Sequence, residues 1–192
     1  MTTNPTLRTR GRRLAHLVAR FLGSLRIARL DDATRAWVAG ALEPAERRVW
    51  DGMAPVDQAE GVAVARRLET ALGATPEGSD PRWRAAALVH DAGKQLSGLG
   101  TVARAIVTVV AAVLGEARLR RWVVAGDPVR TWMGRYVAHD DLGADLLRRD
   151  GARPEVAAWA GAHHRPARWP DTGIPADVCR ALAAADGEVV EG

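Results

Sequence analysis

The stretch AALVHDAGKQLSGLG, residues 86–100, contains the pair His90-Asp91 and, three residues later, Lys94. Lys94 is the only lysine of the chain. The chain has 27 lysine and arginine residues in total, and all the others are arginines. Imidazole and carboxylate groups are common metal ligands, and a lysine ammonium is a compact charge that suits a phosphate oxygen. This stretch therefore predicts metal-assisted phosphate chemistry.

Outward from this stretch, the chain is dominated by helical periodicity. No segment of useful length alternates apolar and polar residues as a strand would, and no internal repeat is present. Helices are predicted on both sides of Pro44 and at 57–72, 81–90, 101–115, 117–124, 127–137, 139–150, 154–164 and 176–188. With 192 residues, 47% of them apolar, the chain is long enough to bury one core. The sequence predicts an all-α, single-domain fold.

Two regions are predicted along the chain. Residues 1–49 form a basic arm and N-terminal helices, and residues 50–192 form a metal-binding helical domain. Within the first region, apolar residues follow helical spacing from Leu14 to Leu25, which predicts an amphipathic helix that packs onto the domain. Arg20 and His16 interrupt its apolar character and no small-residue cleavage site follows, so a signal peptide is not expected.

Composition narrows the function classes. Cys179 is the only cysteine, which excludes an intrachain disulfide and favours a cytoplasmic location. The formal charge of +4 is a mild basic bias, and nucleic acid is not expected as a partner. The apolar run AIVTVVAAVL, residues 105–114, is too short to span a bilayer and predicts a buried helix.

Several helices carry metal-ligand residues on their apolar faces. A buried charge or imidazole is costly unless it is paired or bound to metal, and one such residue would mean little. Here four of the five histidines and two aspartates lie on apolar stripes of four different helices, which favours a shared metal cluster over scattered core residues. These residues are His90, Asp91, His139, His163, His164 and Asp186.

The ordered set of motifs resembles the HD superfamily of metal-dependent phosphohydrolases over about residues 50–190. His90-Asp91-Ala92-Gly93-Lys94 matches the family's HD-x-G-K motif, and HDDLGADLL from His139 is similar to its H-x-x-x-G-A-x-L-L motif. HHRPARWPDTGIP from His163 is similar to the double-histidine segment and loop of the HD-GYP branch. ALAAADG matches the closing helix, whose aspartate is a ligand, here Asp186. The resemblance implies an HD-type helical bundle.

The resemblance also implies a ligand set for two divalent ions, with Mn²⁺ or iron favoured and Mg²⁺ as an alternative. Asp91 would bridge the two ions. One ion would be held by His90 and Asp186, with Glu60 as a candidate third ligand; the other would be held by His139, His163 and His164. Lys94 would hold a phosphate oxygen of the substrate.

This chain departs from the family pattern at three places. Glu60 stands where the family has its first histidine, and we weigh two roles for it: metal ligand, or capping-box partner of Asp57 as the N-cap of a helix. The loop reads Gly173-Ile174-Pro175 without the tyrosine, and Arg165 replaces the glutamate that usually follows the histidine pair. These two changes weaken the case for a cyclic dinucleotide substrate.

The leading hypothesis is a phosphohydrolase acting on a phosphomonoester, nucleotide or phosphodiester. A catalytically degenerate regulatory or nucleotide-binding HD module and a dinuclear-iron oxygenase are the two alternatives. The natural substrate and the oligomeric state are not predicted.

Overall fold

The computed structural model describes residues 30–187, which form eleven α-helices and three 3-10 helices and, within this range, no β-strand. In chain order the α-helices are α1 (Asp32–Ala39), α2 (Pro44–Asp51), α3 (Pro55–Leu72), α4 (Pro76–Ser79), α5 (Pro81–Val89), α6 (Thr101–Leu114), α7 (Glu116–Arg120), α8 (Pro128–Val137), α9 (His139–Asp150), α10 (Pro154–Ala162) and α11 (Ala176–Asp186). The 3-10 helices are Ala92–Ser97, Arg121–Val124 and Pro166–Thr172. The prediction of an all-α fold is confirmed, and the amphipathic helix predicted at 14–25 lies outside the described residues.

Prolines and aspartates determine where many of these helices begin. Six α-helices (α2, α3, α4, α5, α8 and α10) have proline in the first turn, where its missing N–H is not needed. The side chains of Asp31, Asp80 and Asp127 accept hydrogen bonds from backbone N–H groups at the starts of α1, α5 and α8. The predicted start of α5, with Asp80 as N-cap and Pro81 as first residue, is confirmed.

The prediction of Asp57 as an N-cap is wrong. Helix α3 begins at Pro55 with Ala54 as its N-cap, because proline supplies the helical φ angle two residues before the predicted start. Asp57 is instead buried, and both of its carboxylate oxygens accept hydrogen bonds from Nη1 of Arg104 at 2.7 Å. This ion pair fastens α6 to the first turn of α3.

Helix α5 lies at the centre of the main core. Its residues Ala85 to Val89 have no exposed surface, and Trp83 is also buried. A helical segment that is apolar on every side, as Ala85 to Val89 is, is stable only when other helices surround it, and α3, α10, α2 and α11 pack against α5. The end of α5, and with it His90-Asp91, is therefore held in the interior of the domain.

Helices α6, α7 and α8 form a smaller lobe with its own core. We call residues 99–137 the α6–α8 lobe. The buried residues of its core are few and come from all three helices: Val107, Ala111, Leu119 and Val137. The lobe therefore has much less apolar burial than the main core.

The prediction that residues 105–114 form a buried helix is wrong in one respect. The segment is helical, but only Val107 and Ala111 are buried, while Ile106, Val109 and Val113 are exposed. The lobe is too small to cover both sides of α6. Among the described residues no single helix is long and apolar enough to cross a bilayer; only Pro81–Ser97 taken together with Thr101–Leu114, across a 91° bend, reaches that length and composition.

Two glycines allow the 3-10 helix after Asp91 to lie directly on α9. A Cβ atom on Gly93 would stand 1.9 Å from the carbonyl oxygen of His139, and one on Gly143 would stand 2.8 Å from the backbone nitrogen of Gly93. Only hydrogen atoms fit between these backbones. The glycines of the two sequence motifs therefore bring Asp91 and His139 together.

We expect Gly93→Ala to lower the free energy of unfolding by about 1–3 kcal/mol, because the backbones must separate to admit a methyl group. Gly40→Ala is the matched control: its added Cβ would meet only ordinary contacts at 3.6 Å or more, and its φ of −73° suits alanine. We expect the control to change the stability by no more than about 0.5 kcal/mol. Urea denaturation measures both, and equal stability of the two variants would contradict the close contact.

Candidate metal centre

The ends of four helices bring the predicted ligands to one place. His90 and His163 are the C-cap residues of α5 and α10, His139 is the first residue of α9, and Asp186 is the last residue of α11. Asp91 directly follows His90. Helix ends can meet at a point where whole helices cannot, so this arrangement allows residues that are far apart in sequence to converge.

Asp91 lies at the centre of the group, and its two oxygens face different partners. Oδ1 lies 3.2 Å from Nε2 of His139 and 3.9 Å from Nε2 of His163. Oδ2 lies 3.4 Å from Nε2 of His90 and contacts Nζ of Lys94. The carboxylate of Asp91 thus separates two sets of potential ligands.

Each set has further members. On the Oδ2 side, Nε2 of His90 lies 3.5 Å from Oδ1 of Asp186. On the Oδ1 side, His139, His163 and His164 each offer a ring nitrogen, and these three atoms lie within 4.8 Å of one another. His163 and His164 are consecutive, and their ring centroids are 3.9 Å apart. The arrangement groups the histidines as the resemblance implies.

Backbone carbonyls orient three of the imidazoles. Nδ1 of His90, His139 and His163 donates to the carbonyl oxygen three residues earlier, at 2.8, 2.8 and 2.9 Å. Each of these carbonyls belongs to the last turn of a helix, where carbonyl groups have no N–H partner within the helix. Because a carbonyl can only accept, the Nδ1 atom carries a proton and the Nε2 atom is directed inward.

Those inward Nε2 atoms test whether a metal fits. The Nε2 atoms of His90, His139 and His163 are buried and have no hydrogen-bond partner among the described residues. An unsatisfied buried polar atom costs free energy, and three of them around one carboxylate are difficult to explain by packing. Metal-ligating histidines commonly donate their other ring N–H to a carbonyl or carboxylate, as these do. The residues present fit divalent cations.

The charged groups of the centre shift the pKa values of the neighbouring histidines. Burial lowers the pKa of His90, but the carboxylates of Asp91 and Asp186 outweigh burial and raise that pKa to about 9. Burial and the neighbouring imidazoles of His164 and His90 hold the pKa of His163 well below its usual value. In the metal-free protein, His90 is therefore protonated at neutral pH and His163 is neutral.

Lys94 is part of the centre rather than a solvent-facing loop residue. It lies in the 3-10 helix Ala92–Ser97, its side chain is 22% exposed, and its ammonium contacts Asp91. Burial raises the pKa of the Asp91 carboxyl, but the charges of Lys94 and His90 outweigh it and hold that pKa well below its usual value. Asp91 is therefore ionised, as a metal ligand must be.

Sequence reasoning did not identify an arginine–aspartate network beside the histidines. Arg120 donates to both oxygens of buried Asp140 at 2.8 and 2.7 Å, and Arg165 donates to both oxygens of Asp141 at 2.7 Å. Arg165 also lies 2.6 Å from Asp140. Because Asp140 and Asp141 follow His139 and Arg165 follows His164, the network ties these two motif segments together. The sequence signal for this network is Arg165, which replaces the glutamate that usually follows the histidine pair.

The capping role considered for Glu60 is wrong, because Asp57 is not the N-cap of α3. Glu60 lies on α3, and its Oε1 is 3.4 Å from Nη2 of Arg67. Arg67 in turn donates to the carbonyl oxygen of Ala185, the neighbour of Asp186. Of the two roles weighed from the sequence, only that of metal ligand is still open.

The family comparison agrees with this geometry. The family model described as HD domain matches residues 60–188, which is more than half of the chain. The chain belongs to the HD domain family. No curated protein and no solved structure matches it.

Membership of the HD domain family supports the interpretation of this cluster as a metal site. HD domains bind divalent metals and belong to a superfamily of metal-dependent hydrolases. In this HD domain, the name-giving His90-Asp91 pair lies at the end of the central helix, and the matched range includes every predicted metal ligand. The family does not distinguish among the possible activities.

We expect the affinity of the HD domain for Mn²⁺ to rise with pH. The Nε2 atom of His90 must lose its proton to bind metal, so below the pKa of about 9 the apparent affinity should fall about tenfold for each unit of pH. Isothermal titration calorimetry in buffers of different ionisation enthalpy should detect about one proton released for each bound ion at this position at neutral pH. An affinity that is constant between neutral pH and 9 would contradict the protonated His90.

Proposed function

We propose that the protein is a metal-dependent phosphohydrolase that uses two divalent ions to hydrolyse a phosphate ester. The observation that carries the proposal is the position of Asp91: its Oδ2 faces His90 and its Oδ1 faces His139 and His163, and the Nε2 atoms of these three histidines are buried with no hydrogen-bond partner among the described residues. One bridging carboxylate with a ligand group on each side is the arrangement that a pair of neighbouring ions requires.

The proposed ligand sets follow from these distances. His90, Asp186 and Oδ2 of Asp91 would hold one ion. His139, His163, His164 and Oδ1 of Asp91 would hold the other. Mixed imidazole and carboxylate ligands favour Mn²⁺ or iron over Mg²⁺. When bound, such ions supply Lewis-acid activation of water and neutralise charge on the phosphoryl group.

Lys94 is proposed to bind the phosphate group of the substrate. Its ammonium is held at Asp91 and is fully charged at physiological pH, because the charge of Asp91 outweighs burial and raises the pKa of Lys94. A fixed positive charge beside the reacting phosphorus stabilises the charge that develops on the phosphoryl oxygens. The backbone supports this position: Arg104, anchored by Asp57, lies 3.4 Å from the carbonyl oxygen of Lys94 through Nη2.

Glu60 is proposed as an additional ligand on the His90 side. Helix α3 crosses α5 very closely beside it, because a Cβ on Gly61 would stand only 2.3 Å from the carbonyl oxygen of Leu88. Leu88 precedes His90 by two residues, and the partner of Glu60, Arg67, contacts the backbone next to Asp186. Both observations support a position near the first ion.

The proposed substrate is limited to phosphate esters as a class. The cyclic dinucleotide substrate of the HD-GYP branch is not assigned. Ile174 replaces the tyrosine of that branch's loop, and its side chain is buried in the main core. Arg165 replaces the glutamate and is engaged by Asp140 and Asp141.

Metal content and turnover together test the proposal. After Mn²⁺ loading, we expect two ions per chain by elemental analysis and hydrolysis of at least one member of a panel of phosphomonoesters, nucleotides and phosphodiesters. Asp91→Ala should lose both ions and all activity, whereas Asp177→Ala, at an exposed position on α11, should retain both. Bound metal without any turnover would favour the regulatory module, and an iron pair that consumes oxygen would favour the oxygenase. Retention of both ions by Asp91→Ala would reject the bridging role.

Glu60→Gln tests the proposed ligand role of Glu60 by the same measurement of metal content. The amide preserves the size of the side chain but is a weaker ligand than a carboxylate. If Glu60 binds metal, the variant should lose affinity for one ion and keep the other. Unchanged binding of both ions would restrict Glu60 to its contact with Arg67.

We expect Lys94→Ala to keep both ions and to lower kcat by a factor of about 10²–10³, the effect of losing one fixed charge at the reacting group. Lys94→Arg should not restore activity, because a planar guanidinium has a different shape from an ammonium. Steady-state kinetics of the Mn²⁺-loaded proteins measure the effect. Unchanged kinetics in Lys94→Ala would rule out a role for Lys94 in catalysis.

A further inference from the structure

One side of helix α6 is apolar and exposed to solvent. Val102, Ile106, Val109 and Val113 are spaced at intervals of four, three and four residues, which places them on one face, and they are 61%, 59%, 47% and 77% exposed. The buried residues Val107 and Ala111 lie on the opposite face. An exposed helix face normally carries charged side chains, and this one carries none.

The single charged residue of α6 does not reach this face. Arg104 is turned inward, where it pairs with Asp57, and its side chain is only 11% exposed. The remaining polar residues of the helix are Thr101 and Thr108, and the Thr108 hydroxyl donates to the backbone carbonyl of Arg104. Helix α6 therefore presents hydrocarbon to solvent along its length.

The rest of the α6–α8 lobe also carries exposed apolar side chains. Nearly every large apolar side chain that is exposed among residues 30–187 belongs to this lobe. They are Val102, Ile106, Val109, Val113, Leu114, Val124, Val129 and Trp132, and the remaining one, Leu96, lies three residues before the lobe. Exposed apolar side chains concentrated in one part of a domain indicate a binding site for an apolar partner.

Arginines accompany the patch. Arg118, Arg121, Arg130 and Arg135 are exposed in the same lobe, against two exposed acidic residues. One of those acids, Asp127, caps the start of α8 through the backbone N–H of Arg130. The exposed surface of the lobe is therefore both apolar and basic.

We propose that the α6–α8 lobe docks on the surface of an anionic lipid bilayer. The apolar face of α6 and the Trp132 ring enter the boundary between headgroups and acyl chains, and the arginines contact the anionic headgroups. Tryptophan suits this boundary because its ring is apolar and its N–H is polar. The docking is peripheral and needs no helix that crosses the membrane.

Charge favours a bilayer over other occupants of this face. A second copy of the chain would bring two basic surfaces together, and like charges across an interface oppose association. The segment 1–29 carries seven arginines and no acidic residue, so it would be repelled in the same way. Its sequence instead has the same combination of arginines and apolar residues as the lobe, which an anionic surface attracts.

Vesicle flotation with the full chain tests the proposal. We expect the protein to float with vesicles of phosphatidylcholine and phosphatidylglycerol in equal amounts, to bind pure phosphatidylcholine much less, and to be released by salt. Ile106→Asp/Val109→Asp should weaken binding by roughly tenfold or more, because both apolar contacts are lost and two negative charges are added. Ala33→Asp/Ala36→Asp is the matched control: it adds the same charge at exposed positions on α1 and should bind almost as well as the unmodified protein.

Three outcomes would overturn the proposal. The first is no flotation with anionic vesicles at low salt. The second is equal binding by the Ile106→Asp/Val109→Asp variant and its control, which would assign binding to another part of the chain. The third is a dimer in sedimentation experiments that the α6 variant dissociates while vesicles have no effect, which would assign the face to a second copy. Metal loading and turnover do not enter these readouts, so the result is independent of the proposed hydrolase activity.

Discussion

The candidate metal centre depends on one buried carboxylate. Asp91 is 5% exposed and ionised, and a charge in such a place is tolerated only when it is compensated. In the metal-free protein, Lys94 and protonated His90 provide that compensation. Metal binding on the His90 side would exchange one positive charge for another: the cation would replace the proton on His90, while Lys94 would keep its charge.

The position of Asp91 follows from the packing of the central helix. The second half of helix α5 is apolar on every side, and α5 ends where α10 and α11 also end and α9 begins, so polar residues at these ends converge without interrupting the core. The close contact between Gly93 and Gly143 then brings α9 to Asp91. The stability of the fold and the geometry of the centre therefore depend on the same few contacts, and substitutions at either glycine affect both.

The α6–α8 lobe follows different rules from the main core. Its own core contains few residues, and Asp57–Arg104 attaches it to α3 by a buried ion pair. In helix α6, the only charged side chain, Arg104, points inward, whereas the aliphatic side chains on the opposite face point outward. A solvent-exposed helix normally has the reverse arrangement. The prediction that residues 105–114 are buried is therefore wrong for the outer face, because an apolar sequence does not show which other residues cover it.

The sequence by itself determined the helical fold and most helix starts, because proline, aspartate caps and 3.6-residue periodicity act locally. It also predicted inward positions for His90, Asp91, His139, His163, His164 and Asp186, and this prediction is wrong for His164, which is exposed. Only the tertiary structure decided that the two oxygens of Asp91 face separate ligand groups, that Arg165 joins Asp140 and Asp141, and that Asp57 binds Arg104 instead of capping α3. These features depend on how distant helix ends pack against one another, and such contacts between residues far apart in the chain leave no periodic signal in the sequence.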